Sequence, residues 1–141
     1  MNACLFCKIV DHTVPVATIY EDDNVVAFLD VHPRAPGHTL VIPKIHVQCL
    51  RDLTDELIEP LFMIVKKIAG TLENVFSANG MTIGINQGEA SGQTVPHLHI
   101  HLMPRFTGDG GGSIHSVVNN PSGDAIDVIR ERIGKELQNS K

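Results

Sequence analysis

Residues 97–103 read His-Leu-His-Ile-His-Leu-Met, a strict alternation of imidazole with aliphatic side chains. Successive side chains on a strand point to opposite faces. A strand over His97–Met103, closed by Pro104, therefore puts Leu98, Ile100 and Leu102 on one face and His97, His99 and His101 on the other. The aliphatic face has to pack on a core, and the imidazoles then line a surface or a cleft. Such a segment calls for a sheet, and the rest of the chain supplies partners for it.

Thr18–Tyr20 and Val25–Leu29 are short strand-like runs separated by the turn Glu21-Asp22-Asp23-Asn24. A Pro- and Gly-rich loop, Pro33 to Gly37, leads into His38–Ile42, which Pro43 stops, and Met81–Asn86 reads as another strand. From about Thr54 to Ala78 the period becomes helical: Leu57, Leu61, Phe62, Val65, Ile68, Ala69, Leu72, Val75 and Phe76 form one apolar stripe. Thr54 is the expected N-cap and Asn79-Gly80 the expected stop, with Pro60 either opening the regular helix or kinking its first turn. Beyond the glycine-rich loop Gly108–Ser113, Ile126, Ile129, Ile133 and Leu137 mark a last amphipathic helix. Five strands without regular β-α alternation predict an α+β fold: a largely antiparallel five-stranded sheet with one long helix and a C-terminal helix. No repeat or low-complexity linker divides the 141 residues, so a single domain over 1–141 is expected.

The hydrophobic fraction of 43% and charged fraction of 19% suit a soluble globular protein. A net charge of −5 argues against non-specific nucleic-acid binding, which needs a basic face, but leaves room for a small phosphorylated ligand. No stretch approaches a membrane span, and Met1 to Lys8 lacks the basic-then-apolar order of a secretory signal, so a cytoplasmic location is expected. In that reducing compartment the close pair Cys4 and Cys7 points to metal or redox chemistry over a structural disulfide.

Three imidazoles in a row suit three tasks: ligating a metal, exchanging protons, or presenting a nucleophilic nitrogen. Cys4-x-x-Cys7 alone is equally open, as a zinc half-site, a redox pair or two buried small residues. Asp30 ends a strand and needs a polar partner there.

The run 97–103 resembles the motif of the histidine triad family, His-x-His-x-His followed by two apolar residues. Phe28-Leu29-Asp30-Val31 and the segment Gly37 to His46 resemble that family's upstream region, and Asn86 with Gly92-Gln93-Thr94-Val95-Pro96 resembles the loop entering the triad. The likeness runs from about Cys4 to Arg105, and the segment 106–141 falls in a part that varies across the family.

The resemblance implies a nucleotide hydrolase or nucleotidyl transferase in which His99 attacks the α-phosphorus and forms a nucleotidyl-histidine. Its ring is expected to be held by a backbone carbonyl of the same strand. His101 matches the residue that hydrogen-bonds the phosphate, and Gln93 and Thr94 match loop residues near the leaving group. Asp30 matches the carboxylate that binds the ribose. Phe6, Ile9, Phe28 and Val31 match the apolar clamp on the base, while Asn86 and Gly92 match groups lining the same cleft. In the zinc-bearing branches an N-terminal cysteine pair joins two histidines, which fall on His46 and His97. The closed Cys4, Cys7, His46, His97 set implies a structural zinc ion, and no organic cofactor is implied. The family further implies a purine nucleotide substrate and a homodimer, with no nucleic-acid or membrane partner. His101 stands where the sugar-1-phosphate nucleotidyl transferases have Gln, which favours hydrolysis. Two other readings compete: a metal-dependent hydrolase using the three strand histidines, and a non-catalytic nucleotide sensor or scaffold. His12, His32 and His115 read as exposed or loop residues, His38 as a structural hydrogen-bonding group, and Cys49 as a small hydrophobe.

Overall fold

A computed structural model describes residues 3–140. These divide along the chain, between Gly111 and Gly112, into two compact units. In the first, α1 (Leu5–Val10), β1 (Thr18–Glu21), β2 (Val25–Leu29), β3 (Thr39–Pro43), α2 (Asp55–Phe76), β4 (Gly80–Gly84) and β5 (Ile100–Arg105) follow one another. The strands make one sheet in the order β1-β2-β3-β5-β4 with every neighbouring pair antiparallel. The fold is the expected α+β class.

Both faces of the sheet are covered. On one, Val25, Ala27, Val41, Leu98, Ile100 and Leu102 meet Leu61, Ile64, Val65, Ile68, Ala69 and Leu72 of α2. On the other, Val26, Phe28, Leu40 and Ile42 meet Cys4, Phe6, Cys7 and Ile9. Double coverage explains why β2 and β3 read as continuous apolar runs, whereas β5 alternates. The six-residue α1 is too short to show helical periodicity in the sequence, and no element was expected there.

Several boundaries differ from the expected ones. The strand expected at His97 starts at Ile100 and runs through Pro104 to Arg105. His97 and Leu98 leave the ladder because their N–H groups donate elsewhere, to the Val95 carbonyl at 2.8 Å and the Val47 carbonyl at 2.7 Å. Pro104 is tolerated because pairing with β3 has already ended at Leu102. The third strand is shifted by one residue, with Pro43 as its last member rather than its stop. Thr54 does precede the long helix, without a side-chain capping bond, and Pro60 lies inside the helix. The helix ends at Ser77, not Asn79-Gly80: Ser77 takes the left-handed conformation, and the N–H groups of Ser77 and Ala78 close on the carbonyls of Asn74 and Glu73. Gly80 is thereby freed to open β4. Of the expected stripe, Leu57 is only partly buried and Phe62, Val75 and Phe76 are exposed, while Ile64 joins the buried set.

The second unit carries a short turn at Ile114–Ser116 and the helix α3 (Ile126–Asn139). The expected amphipathic helix is present, and none of its side chains is buried.

Candidate active site and metal cluster

Four ligand-type side chains from distant parts of the sequence meet on the α1 side of the sheet. Cys4 precedes α1 and Cys7 lies within it, His46 follows β3, and His97 stands just before β5. One ligand atom from each lies within 4.8 Å of the others. His97 Nδ1 is 3.6 Å from Cys4 Sγ and 3.5 Å from Cys7 Sγ, and His46 Nδ1 is 3.2 Å from Cys7 Sγ. A tetrahedral zinc ion at ordinary bond lengths holds its sulfur and nitrogen ligands about 3.5 Å apart, so the donor set and spacing fit that ion. The protons fit as well. His97 Nε2 lies 2.8 Å from the Pro43 carbonyl, which only accepts, so the proton sits on Nε2 and the Nδ1 lone pair faces the sulfurs. Burial holds the His97 pKa below the usual histidine value, and the Pro43 bond opposes that shift.

His99 is 5% exposed. Its Nδ1 lies 2.7 Å from the His97 carbonyl. A carbonyl cannot donate, so Nδ1 carries the proton, and in the neutral ring Nε2 presents a lone pair. The edge of the Phe6 ring meets His99, with centroids 5.1 Å apart, and Phe6 also touches the rings of His97 and Phe28. The Cys/His cluster and His99 thus share two neighbours: His97 serves the first by its side chain and the second by its main chain, and Phe6 sits between the two cysteines in sequence.

His101 lies beside His99, with ring centroids 5.1 Å apart. Its Nδ1 is 3.0 Å from His38 Nε2, and His38 Nδ1 accepts the Arg34 N–H at 3.1 Å. Asp30 Oδ2 is 3.6 Å from His38 Nε2, and Asp30 Oδ1 accepts the His32 N–H at 2.9 Å. Burial pushes both imidazoles down, His101 to about 4, helped there by the neighbouring His99 and His38. A cavity of about 430 Å³ opens next to this group, lined by Asp30, Arg34, Gly37 and His38 among others.

The loop entering the triad is tied down by Gln93. Its Oε1 accepts the Gly88 N–H at 2.8 Å, and its Nε2 donates to the carbonyls of Gln48 and Val95 at 3.0 and 3.1 Å. Gln93 therefore shapes the loop, while Thr94 is exposed and Gly92 closes a 3-10 turn at a φ of 94° that favours glycine. Asn86 is half-buried just after β4. Phe6, Ile9 and Phe28 lie together in the second core cluster, whereas Val31 is 75% exposed.

His38 is the site residue that sequence reasoning undervalued. A histidine opening an apolar strand signals a buried polar group in need of partners, but the register that sets Leu40 opposite His101 is not written locally. His12 and His32 are exposed, as expected, and His12 also meets Glu21 at 3.2 Å.

Comparison with known proteins agrees with this geometry. The HIT domain profile matches residues 12–108. Protein hit of Bacillus subtilis is 40% identical over 139 residues, spanning 97% of this chain and 96% of that protein. The crystal structure of a HIT family protein from Bacillus anthracis superposes with a TM-score of 0.87 at 37% identity, covering 99% of this chain and 98% of the other. A Zn-bound histidine triad family protein from Mycobacterium smegmatis gives a TM-score of 0.72 at 34% identity, covering 99% and 98%. The asymmetrical bis(5'-nucleosyl)-tetraphosphatase of Schizosaccharomyces pombe is 47% identical over 83 residues, 59% of this chain and 46% of that one. A family profile over most of the sheet and near-complete structural matches on both sides lead to one conclusion: the chain belongs to the histidine triad, or HIT, family.

Proposed function

We propose that the protein hydrolyses a nucleotide phosphoramidate or a dinucleoside polyphosphate at the α-phosphate, through a nucleotidyl intermediate on His99. The observation that carries this reading is the 2.7 Å bond from His99 Nδ1 to the His97 carbonyl, which leaves the Nε2 lone pair as the reactive nitrogen. That lone pair attacks the α-phosphorus, and the bond from phosphorus to the leaving group breaks with its electron pair going to the leaving group, which takes up a proton. Water then attacks the same phosphorus and gives up a proton, which balances the one taken by the leaving group; the phosphorus–Nε2 bond breaks with its electron pair returning to Nε2, and the nucleoside monophosphate departs. The His97 carbonyl stabilises the positive charge that the ring carries while phosphorylated.

His101 is assigned to the phosphoryl oxygens. Gln93 holds the loop that carries Gly92 and Thr94 towards the leaving group. The nucleoside, a purine in this reading, is assigned to Asp30 with Phe6, Ile9, Phe28, Val31, Asn86 and Gly92. The name of the fission-yeast relative supports a dinucleoside polyphosphate as one substrate class. Cys4, Cys7, His46 and His97 are assigned to a zinc ion, which would supply a structural cross-link with no open coordination position. We further assign a cytoplasmic location, a homodimer, and a single domain over 1–141 in which 106–141 varies; no membrane or nucleic-acid partner is included. The separate partners of the three rings speak against a catalytic ion shared by them: His97 faces the cysteines, His99 the His97 carbonyl and His101 the His38 ring.

The test is turnover of adenosine 5'-phosphoramidate and of a dinucleoside polyphosphate by the wild-type protein and by His99→Ala. Wild type is expected to hydrolyse at least one of them, and His99→Ala to lose at least about a thousandfold while staying folded. Full activity in His99→Ala overturns the assignment, and nucleotide binding without turnover in wild type points to a sensor.

A further inference from the structure

We infer that His38 is a positioning residue: it holds His101 in the tautomer that carries its proton on Nε2, so that His101 meets the substrate as a hydrogen-bond donor. The inference rests on the proposed α-phosphate reading for what His101 meets, and on geometry alone for the tautomer.

The chain of reasoning starts at a backbone amide, because a backbone N–H can only donate. The Arg34 N–H points at His38 Nδ1 at 3.1 Å, so Nδ1 bears a lone pair and His38 is not an imidazolium. The single ring proton of His38 is therefore on Nε2. Two acceptors lie near it, His101 Nδ1 at 3.0 Å and Asp30 Oδ2 at 3.6 Å, and only the first is within hydrogen-bonding distance. A proton on His101 Nδ1 would confront the one on His38 Nε2, so His101 Nδ1 must accept. That leaves the proton of neutral His101 on Nε2. His101 and His99 thus hold opposite tautomers side by side: His99 exposes a lone pair at Nε2, while His101 exposes an N–H at the same ring position. A nucleophile beside a donor is the pairing that an attack on a phosphate requires.

The same geometry sorts two rival roles for this cluster. Asp30, His38 and His101 have the donor types of a divalent-cation site. His38 cannot serve it, since its Nε2 carries a proton whenever Nδ1 accepts from Arg34. Nor is the row a proton wire. Passing the Nε2 proton to His101 would leave His38 without any ring proton, an imidazolate, in a site that is 3% exposed and borders a carboxylate. The row orients and does not conduct.

The experiment compares the full-length wild type with His38→Gln, which keeps an N–H donor at about the reach of Nε2, and with His38→Leu and His38→Met, which keep the volume and remove the donor. Ring nitrogen NMR, with the His101 signals assigned by their loss in His101→Asn, reads the tautomer. Steady-state kinetics on adenosine 5'-phosphoramidate read the consequence. In wild type and His38→Gln, His101 is expected to be protonated at Nε2 and free at Nδ1. In His38→Leu or His38→Met the tautomer redistributes, and kcat falls about tenfold or more with KM changed by about twofold or less, while His38→Gln recovers most of kcat. A general packing role would lower kcat in Gln, Leu and Met alike and leave the tautomer where it was. The inference is overturned by a proton on His101 Nδ1 in wild type, or by apolar variants that leave tautomer and kcat unchanged. Absence of turnover in wild type strikes the hydrolase reading instead, and the tautomer measurement still decides for or against His38.

Discussion

Each of the two neighbouring rings His99 and His101 is governed by a group that can play only one part in a hydrogen bond, a carbonyl in one case and an imidazole pinned by a backbone amide in the other. Burial reinforces this by keeping His101 neutral down to about pH 4, whereas an unfolded chain binds a proton there near pH 6.5. Between those values the unfolded state holds more protons than the folded one. The protein therefore loses stability as pH falls from about 6.5 towards 4, and His101 adds no pH dependence above that window. Melting curves across this range are expected to show the decline, and His101→Gln to show a shallower one; equal slopes would remove His101 as its source. What was legible here in the sequence was the row of histidines and the carboxylate Asp30. The tautomers were not written in the residues themselves: a carbonyl partner for His99 was expected only from the family resemblance, and the tautomer of His101 depends on Arg34 across a turn and on His38 just before the neighbouring strand.

The element that seats Asp30 and His38 is the turn between β2 and β3, and Gly37 sets its shape. Gly37 has a φ of +78°, and a Cβ on it would run into the Phe76 ring at the end of α2. Gly37→Ala is expected to cost about 1–2 kcal/mol from the backbone alone, with a further penalty from the ring. Urea melts should show that loss and its partial recovery in Gly37→Ala with Phe76→Ala; a neutral Gly37→Ala would mean that the turn relaxes freely. Elements with long or simple patterns were readable in advance, notably α2 and β2. Those that shifted did so for tertiary reasons. β5 starts late because the 95–98 peptides bond to Val95 and Val47, and α2 stops early because Ser77 accepts a left-handed conformation. α1 escaped notice because six residues carry too little periodicity, although Cys4 and Cys7 at its start were the visible sign of what holds it.

In the first unit as a whole the sheet is a wall between two cores: α2 covers one side, while the N-terminal segment and the histidines occupy the other. Packing of Phe6 and Ile9 on Val26, Phe28, Leu40 and Ile42 holds the N-terminal segment to the sheet, and the Cys4, Cys7, His46, His97 cluster adds a second contact, with the residues after β3 and before β5. If zinc fills that cluster, stripping it with a chelator is expected to lower the melting temperature by more than about 5 °C and to make Cys4 and Cys7 reactive towards thiol reagents. It should reduce turnover less than His99→Ala does. A protein purified without chelator and free of metal would remove zinc from the account. Residue 97 lends its side chain to the cluster and its carbonyl to the His99 ring, and every amino acid has that carbonyl. The two duties can therefore drift apart over generations: a descendant that exchanges its cysteines and His97 for apolar packing would give up the cluster and inherit the orientation of the His99 ring intact.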